Sequence, residues 1–348
     1  MEKFAINFEQ QTRTTDIIFL TPDELITLYK KENYNKVFVI DKNVFALNEQ
    51  LLQLITVNQP YYLFSATESN KSIATLQKLI DFFIEKKVAR NTEIIAIGGG
   101  ITLDTVGFAV SIYKRGCRLN FVPTTFVAMI DAAIGGKTGV NYAKYKNLIG
   151  GFYPAGKVLI NKTFLQTLSQ TDLMNGWAEC IKTSLLTESN LYNKILENDF
   201  DITDDLIKES IEIKADYCRQ DLTDSGVRKF LNLGHTYAHI IESVSDYEIP
   251  HGIAVALGIR AIALYSMQNG YIEREIYNKI IKPFDLLDFP PRLDKKYHYK
   301  LQEEGAKLLE MDKKFSQRGE IVIFTGFQQT EIITYHNANE FLNYLMSL

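Results

Sequence analysis

Cysteine is scarce: Cys117, Cys180 and Cys218 are the only three in 348 residues, an odd number with no CxxC pair. That excludes a disulfide framework, and a chain of this length buries most of its unfolded surface without one. The thiols are expected to stay reduced, as in the cytoplasm. An excess of basic charge is also missing, because 38 Lys and Arg face 42 Asp and Glu for a net charge of -4. Nucleic acid and anionic membrane surfaces both select for positive proteins, so neither partner is expected. Long apolar runs are absent too. The stretch 253–265 is interrupted by Gly258 and Arg260 and is too short to span a bilayer. Met1-Glu2-Lys3-Phe4 carries no positive patch ahead of an apolar run, so no secretory signal is expected.

What remains is the composition of a folded protein, 46% hydrophobic and 23% charged. The length suggests about two domains. Four β-branched or aromatic runs (37–40, 61–64, 94–97 and 119–122) alternate with helical patterns, among them 72–87 with Ile73, Leu76, Leu79, Ile80 and Phe83 at helical spacing. Strand–helix alternation predicts βαβ units and a mostly parallel sheet. Beyond about residue 165 the apolar period becomes 3.6, with helices predicted over 173–196, 202–218, 227–244 and 253–267. Residues 320–324 and 331–334 read as a short strand pair. The expected fold class is therefore α/β, with an α/β domain over 1–165 and a mostly α-helical domain over 166–348. Ligand sites favour clefts between such domains.

Three features carry chemistry. The apolar run 94–97 delivers the chain into Gly98-Gly99-Gly100, and a helix-like segment follows. Glycine admits a phosphate close to the backbone, and helix-start N–H groups attract anions, which suits a dinucleotide pyrophosphate. Asp41, just after an earlier strand, reads equally as a ribose contact or a helix cap. The segment Asp131-Ala-Ala-Ile-Gly-Gly-Lys137-Thr-Gly-Val-Asn141 is rich in glycine and polar groups between apolar runs, with Lys144, Lys146 and Asn147 close behind. The histidines are sharpest: three of the five fall within seventeen residues, at 235, 239 and 251. His235 and His239 share a helix face, and His251 opens the next helix. That spacing allows a metal held by both, or by one with the other moving a proton. Glu179, in an apolar helical segment, is the best candidate carboxylate, because a buried carboxylate needs a cation. Lys182, Lys214, Arg228, Lys137, Lys146 and Arg115 supply anion clamps.

These segments resemble the 3-dehydroquinate synthases of the sugar-phosphate cyclase superfamily. The resemblance rests on Gly98-Gly-Gly-Ile-Thr-Leu-Asp104, Arg115-Gly116, Pro123-Thr-Thr125, residues 131–141, Lys146-Asn-Leu-Ile-Gly150, Ala178-Glu-Cys-Ile-Lys182, residues 228–239, His251-Gly252 and Asp312-Lys-Lys314. Leu103, Ala132-Ala133 and Ser65-Ala66-Thr67 depart from commoner residues in that family. The resemblance implies a Rossmann-like NAD domain, a helical metal domain, a homodimer, and conversion of 3-deoxy-D-arabino-heptulosonate 7-phosphate to 3-dehydroquinate and phosphate in the shikimate pathway. It implies Glu179, His235 and His251 as ligands to zinc or cobalt, and moves His239 to phosphate contact and proton handling. Lys137, Asn147, Asn232, His239 and Lys313 (or its neighbour Lys314) would hold the phosphate end, together with the partner subunit's Arg115. Lys214 and Arg228 would hold the carboxylate, and Asp131 and Lys182 would meet hydroxyls beside the metal. Asp41, Glu68, Lys71, Gly99, Gly100, Asp104, Thr124, Thr125, Lys137 and Lys146 would contact NAD, with Phe164, Leu165, Gln166 and Thr167 closing over it. A polyol dehydrogenase of similar fold would release NADH and would not need so many anion clamps.

Overall fold

The computed structural model describes residues 14–31, 35–143, 145–197, 199–316, 319–334 and 338–348, with backbone alone for Lys31, 310–316 and 338–341. The chain divides into two compact units. The first runs to Ile97 and takes in Asp104–Val122 and Gly136–Asn161; the second holds Gly98–Leu103, Pro123–Gly135 and the chain from Lys162 onward.

The first unit is built from β1 (Asp16–Phe19), α1 (Pro22–Lys31), β2 (Lys36–Asp41), α2 (Lys42–Leu47), α3 (Glu49–Ile55), β3 (Tyr61–Phe64), α4 (Ile73–Glu85), β4 (Glu93–Gly98), α5 (Gly100–Ile112) and β5 (Arg118–Pro123), then β6 (Lys137–Tyr142), β7 (Tyr145–Phe152) and β8 (Lys157–Ile160). Six strands form one sheet in the order β1-β8-β5-β4-β2-β3. The β1–β8, β5–β8, β2–β4 and β2–β3 pairs run parallel. The central strands β2 and β4 are covered on both faces, which is why they read as unbroken apolar runs rather than alternating ones. From β2 the chain moves outward to β3, and from β4 it moves the other way to β5. The strand order therefore reverses between β2 and β4, and ligands in such sheets bind beyond the carboxyl ends at that point.

Residues 137–152, read from sequence as a glycine-rich polar segment, form the antiparallel hairpin β6–β7, with Lys137 opposite Phe152. Its glycines lower strand propensity yet serve close backbone approach: a Cβ on Gly139 would stand 2.9 Å from the Ile149 carbonyl oxygen.

The second unit contains α6 (Gln170–Ser184), α7 (Leu191–Glu197), α8 (Asp204–Gln220), α9 (His235–Val244), α10 (His251–Gln268), α11 (Arg274–Leu286) and α12 (His298–Ser316), then the antiparallel pair β9 (Glu320–Gly326) and β10 (Gln329–Thr334), and α13 (Ala338–Ser347). The almost wholly buried α10 packs against α6, α9, α11, α13 and β9. The helix expected over 173–196 is two helices, α6 and α7, parted at the turn formers Ser189 and Asn190. Gln328 Nε2 donates to the Ser184 and Ser189 carbonyls at 2.9 and 3.2 Å, satisfying acceptors freed at that break. The helix expected over 227–244 is also divided, into a 3₁₀ turn (Val227–Asn232) and α9. Gly234 separates them at φ 77°, and a Cβ there would lie 2.6 Å from Ile259 Cγ1. Only glycine meets both the left-handed backbone and the contact with α10. Among the described residues no helix is long and apolar enough to cross a membrane.

Candidate active site

Three helices of the second unit converge on one point. α6 contributes Glu179 from its buried face, while His235 and His251 are the first residues of α9 and α10. The break at Gly234 and the turn at Pro250 set these two starts. One ligand atom from each of the three residues lies within 4.8 Å of the others. Glu179 Oε1 stands 3.4 Å from His235 Nε2 and 3.1 Å from His251 Nε2.

The other ring nitrogens face away. His235 Nδ1 is 3.2 Å from the Leu233 carbonyl, and His251 Nδ1 is 3.3 Å from Glu242 Oε1. With Nδ1–H donating in both rings, each ring turns its Nε2 toward Glu179. Two imidazole nitrogens and one carboxylate oxygen, with room for a further ligand, suit zinc or cobalt.

The electrostatics fit a site that awaits a cation. Burial alone would raise the Glu179 carboxyl; Lys182, at 2.7 Å from Oε2, together with the histidines, holds it well below its usual range. Burial opposes charge on His251, yet hydrogen bonds to Glu179 and Glu242 push it up to about 10. A metal ion bound at this point would compete with a proton for His251 Nε2.

Around this group the same unit assembles more of the expected residues. Asp131 sits in a single π turn, Ala128–Ala132, where the Ala133 N–H reaches back five residues to the Ala128 carbonyl at 3.0 Å. Lys214 Nζ contacts both Asp131 Oδ1 and the Asp131 carbonyl at 2.6 Å. Burial would raise the Asp131 carboxyl, but Lys214 and Lys182 lower it overall. Lys182 also donates to the Leu231 carbonyl at 2.8 Å, and its ammonium is stabilised by Glu179 and Asp131 against burial. Two carboxylates and two ammoniums therefore alternate beside the histidines. Arg228 is 1% exposed, and its Nη1 donates to the carbonyls of Gly135 and Leu222 at 2.9 and 2.8 Å. His239 is exposed, its ring 5.8 Å from that of His235, and it is not part of the metal-ligand group. Asn232, the last residue of the 3₁₀ turn, is exposed.

Also within the second unit, Thr124 N–H donates to the Gly98 carbonyl at 3.0 Å, and a Cβ on Gly99 would meet Thr125 at 3.0 Å. Gly100 opens α5. Phe164 and Leu165 are buried, so any ligand contact they make runs through the main chain; Gln166 and Thr167 are exposed.

The first unit gathers a second polar cluster near the carboxyl ends of β2 and β3. Buried Lys71 contacts Asp104 Oδ2 at 2.6 Å and Asn147 Oδ1 at 2.5 Å. Glu68 Oε1 accepts from Asn141 Nδ2 at 2.7 Å, and Asn141 Oδ1 accepts from the Asn147 N–H at 2.9 Å. Asp41 caps α2, its Oδ1 accepting from the Asn43 N–H at 2.9 Å, so both readings of its role remain compatible with its position. Lys137 and Lys146 are exposed on the hairpin, and Arg115 is exposed at φ 61°. The Lys313 side chain lies outside the described residues.

Comparison with known proteins decides the family. The 3-dehydroquinate synthase N-terminal model matches residues 61–175, and the 3-dehydroquinate synthase C-terminal model matches residues 176–315. The chain belongs to the 3-dehydroquinate synthase family. It is 36% identical to a 3-dehydroquinate synthase of Pyrococcus abyssi over 305 residues, covering 82% of this chain and 90% of that one. Its fold is similar to a 2-epi-5-epi-valiolone synthase from Streptomyces hygroscopicus with NAD+ and Zn2+ bound, at TM-score 0.86, 22% identity and 99% coverage of both chains. It is also similar to a 2-deoxy-scyllo-inosose synthase complexed with carbaglucose-6-phosphate, NAD+ and Co2+, at TM-score 0.80, 21% identity and coverage of 95% and 96%.

Within this chain, sequence reasoning passed over Glu242. Its signal was present: a carboxylate seven residues after His235 on an otherwise apolar helix face. The link from Lys71 to Asn147 had no such signal, because it joins residues 76 positions apart.

Proposed function

We propose that the chain converts 3-deoxy-D-arabino-heptulosonate 7-phosphate to 3-dehydroquinate and phosphate as a carbon–oxygen lyase, with NAD and a divalent zinc or cobalt ion. One observation carries the site reading: the Glu179, His235 and His251 ligand atoms lie within 4.8 Å of one another. When bound, the metal lowers the pKa of a coordinated substrate hydroxyl, and NAD accepts and returns a hydride.

The chain's own residues do the remaining work. Lys182 and Asp131, beside Glu179, orient the substrate hydroxyls and take up or return their protons. Lys214 and Arg228 bias that end of the site toward a carboxylate; Arg228, pinned through Nη1, also holds the Gly135 turn in place. His239 and Asn232, both exposed on the second unit, serve the phosphate end, as do Lys137, Asn147, Lys313 and the partner subunit's Arg115. In the first unit Asp41, Glu68, Lys71, Asp104 and Lys146 serve NAD; in the second, Gly99, Gly100, Thr124, Thr125 and residues 164–167 do so. The proposal includes residence in the cytoplasm, supported by three unbridged buried cysteines, and a homodimer, supported by family membership.

The test is phosphate release from the heptulosonate phosphate with catalytic NAD, with and without a chelator, while NADH is followed. Chelator-sensitive release with dehydroquinate formed and no net NADH is the expected result. Net NADH without phosphate would replace the lyase by a polyol dehydrogenase.

A further inference from the structure

Both candidate metal-ligating histidines are aimed by their second nitrogen, but by different means. His235 leans on the main chain at the Leu233 carbonyl, which a side-chain substitution leaves in place. His251 leans on a side chain. Glu242 Oε1 faces His251 Nδ1 at 3.3 Å, and its side chain is 8% exposed. The α9 face around it is otherwise apolar, with Tyr237, Ala238, Ile240, Ile241 and Val244 buried. A carboxylate buried among such neighbours is costly unless it is hydrogen bonded.

The main chain at His251 is fixed independently. Asn175 Oδ1, one helical turn before Glu179 on α6, accepts from the Gly252 N–H at 2.7 Å. The start of α10 is thus tied down, while ring rotation about the Cα–Cβ and Cβ–Cγ bonds is not. Glu242 supplies that constraint. It lies two turns along the helix that begins with His235, so α9 provides one ligand directly and orients another.

We propose that Glu242 is a positioning residue for the metal. By accepting from His251 Nδ1–H it selects the tautomer with a bare Nε2, aims that lone pair beside Glu179 Oε1, and raises the ring's basicity as a ligand. This rests on the metal-site reading of Glu179, His235 and His251. Outer carboxylates of this kind are typically worth 10–100-fold in metal affinity.

The test uses the purified full-length protein, Co2+ as probe, and competition against a chelator. Glu242→Gln keeps the volume and an acceptor oxygen but removes the negative charge; Glu242→Leu removes both. Expected is an affinity loss of about 10-fold for Glu242→Gln and up to about 100-fold for Glu242→Leu, together with a shifted Co2+ visible absorption band. A merely structural role would leave that band unmoved once the protein is saturated with Co2+. NAD affinity is expected to be unchanged. If Glu242→Leu does not fold, Glu242→Gln decides alone. Wild-type affinity and an unchanged band in Glu242→Gln would overturn the proposal while leaving the metal site intact. His235→Ala separates the two failures: if it too binds Co2+ like the wild type, the metal-site reading falls as well.

Discussion

Replacing Lys182 by Met should have opposite effects on the metal-free and metal-loaded protein. Lys182 Nζ and Glu179 Oε2 are 2.7 Å apart, and their side chains are 3% and 2% exposed. Removing one member of a buried pair costs about 3–5 kcal/mol when the other charge is left without compensation, and less here because His251 still faces Glu179 Oε1 at 3.1 Å. The Leu231 carbonyl also loses its donor, at about 1–3 kcal/mol if it stays dry. In chelator the variant should therefore lose on the order of 3 kcal/mol, a large part of the 5–15 kcal/mol that stabilises a typical protein. With metal bound, Glu179 regains a cationic partner, and repulsion between the ammonium and a nearby dication is gone. The variant should bind metal more tightly than wild type, and saturating metal should recover at least half of the loss. The assay is urea unfolding followed by fluorescence. The single tryptophan, Trp177, sits buried in α6, so the signal reports this unit. Equal losses with and without metal, or no loss in chelator, would refute the reasoning.

Three further outcomes are expected. In the metal-free protein His251 holds its proton up to about pH 10, so its stabilising contribution is full below about 6.5 and fades as pH rises through about 10. Metal loading near pH 8 should then release close to one proton, read from the buffer dependence of the calorimetric binding enthalpy; no dependence would show the ring already neutral. All three thiols are buried, and burial pushes Cys180 up to about 12, leaving ~10⁻⁴ as thiolate near pH 8. Native protein should react with a thiol-specific disulfide reagent only slowly, whereas denatured protein should titrate three thiols; fast native labelling would contradict this burial. Gly234→Ala, with its left-handed backbone and the Ile259 contact, should cost about 2–4 kcal/mol in urea unfolding and weaken metal binding by displacing His235. An unchanged midpoint would show that the turn is not needed.

The legible parts of this fold are those where one apolar period runs unbroken. β2 to β5 are buried on both faces or bounded by turn residues, α8 keeps helical spacing over its length, and α10 is apolar nearly all round for longer than a strand runs, so runs and periods disclose them. The hairpin β6–β7 was hidden because its glycines answer to backbone proximity rather than strand propensity. The two broken helices were hidden because their apolar spacing carries across the breaks: Leu191 and Ile195 continue the rhythm of α6, and Tyr237 and Ile241 that of the 3₁₀ turn. In the site, spacing alone left open whether His239 was a ligand. Gly234 turns the chain so that His235 becomes the first residue of α9, and His251 approaches Glu179 from the start of a different helix. No local pattern encodes that convergence, nor the choice of Glu242 as the group behind His251.

The π turn at Ala128–Ala132 has a consequence for how this protein tolerates length changes. An extra residue accommodated in one helical turn acts as a phase shifter, and Asp131 lies inside that widened turn, where its carboxylate and its carbonyl both meet Lys214. Exchanging Ala132 or Ala133 for Ser would leave the phase alone. Deleting a residue of the same turn ahead of Asp131, such as Met129 or Ile130, would let the segment relax to ordinary winding and swing Asp131 by about 100°. Short gaps here should therefore be far less tolerable than changes of residue type, so that the aim of Asp131 is set by counting as much as by chemistry.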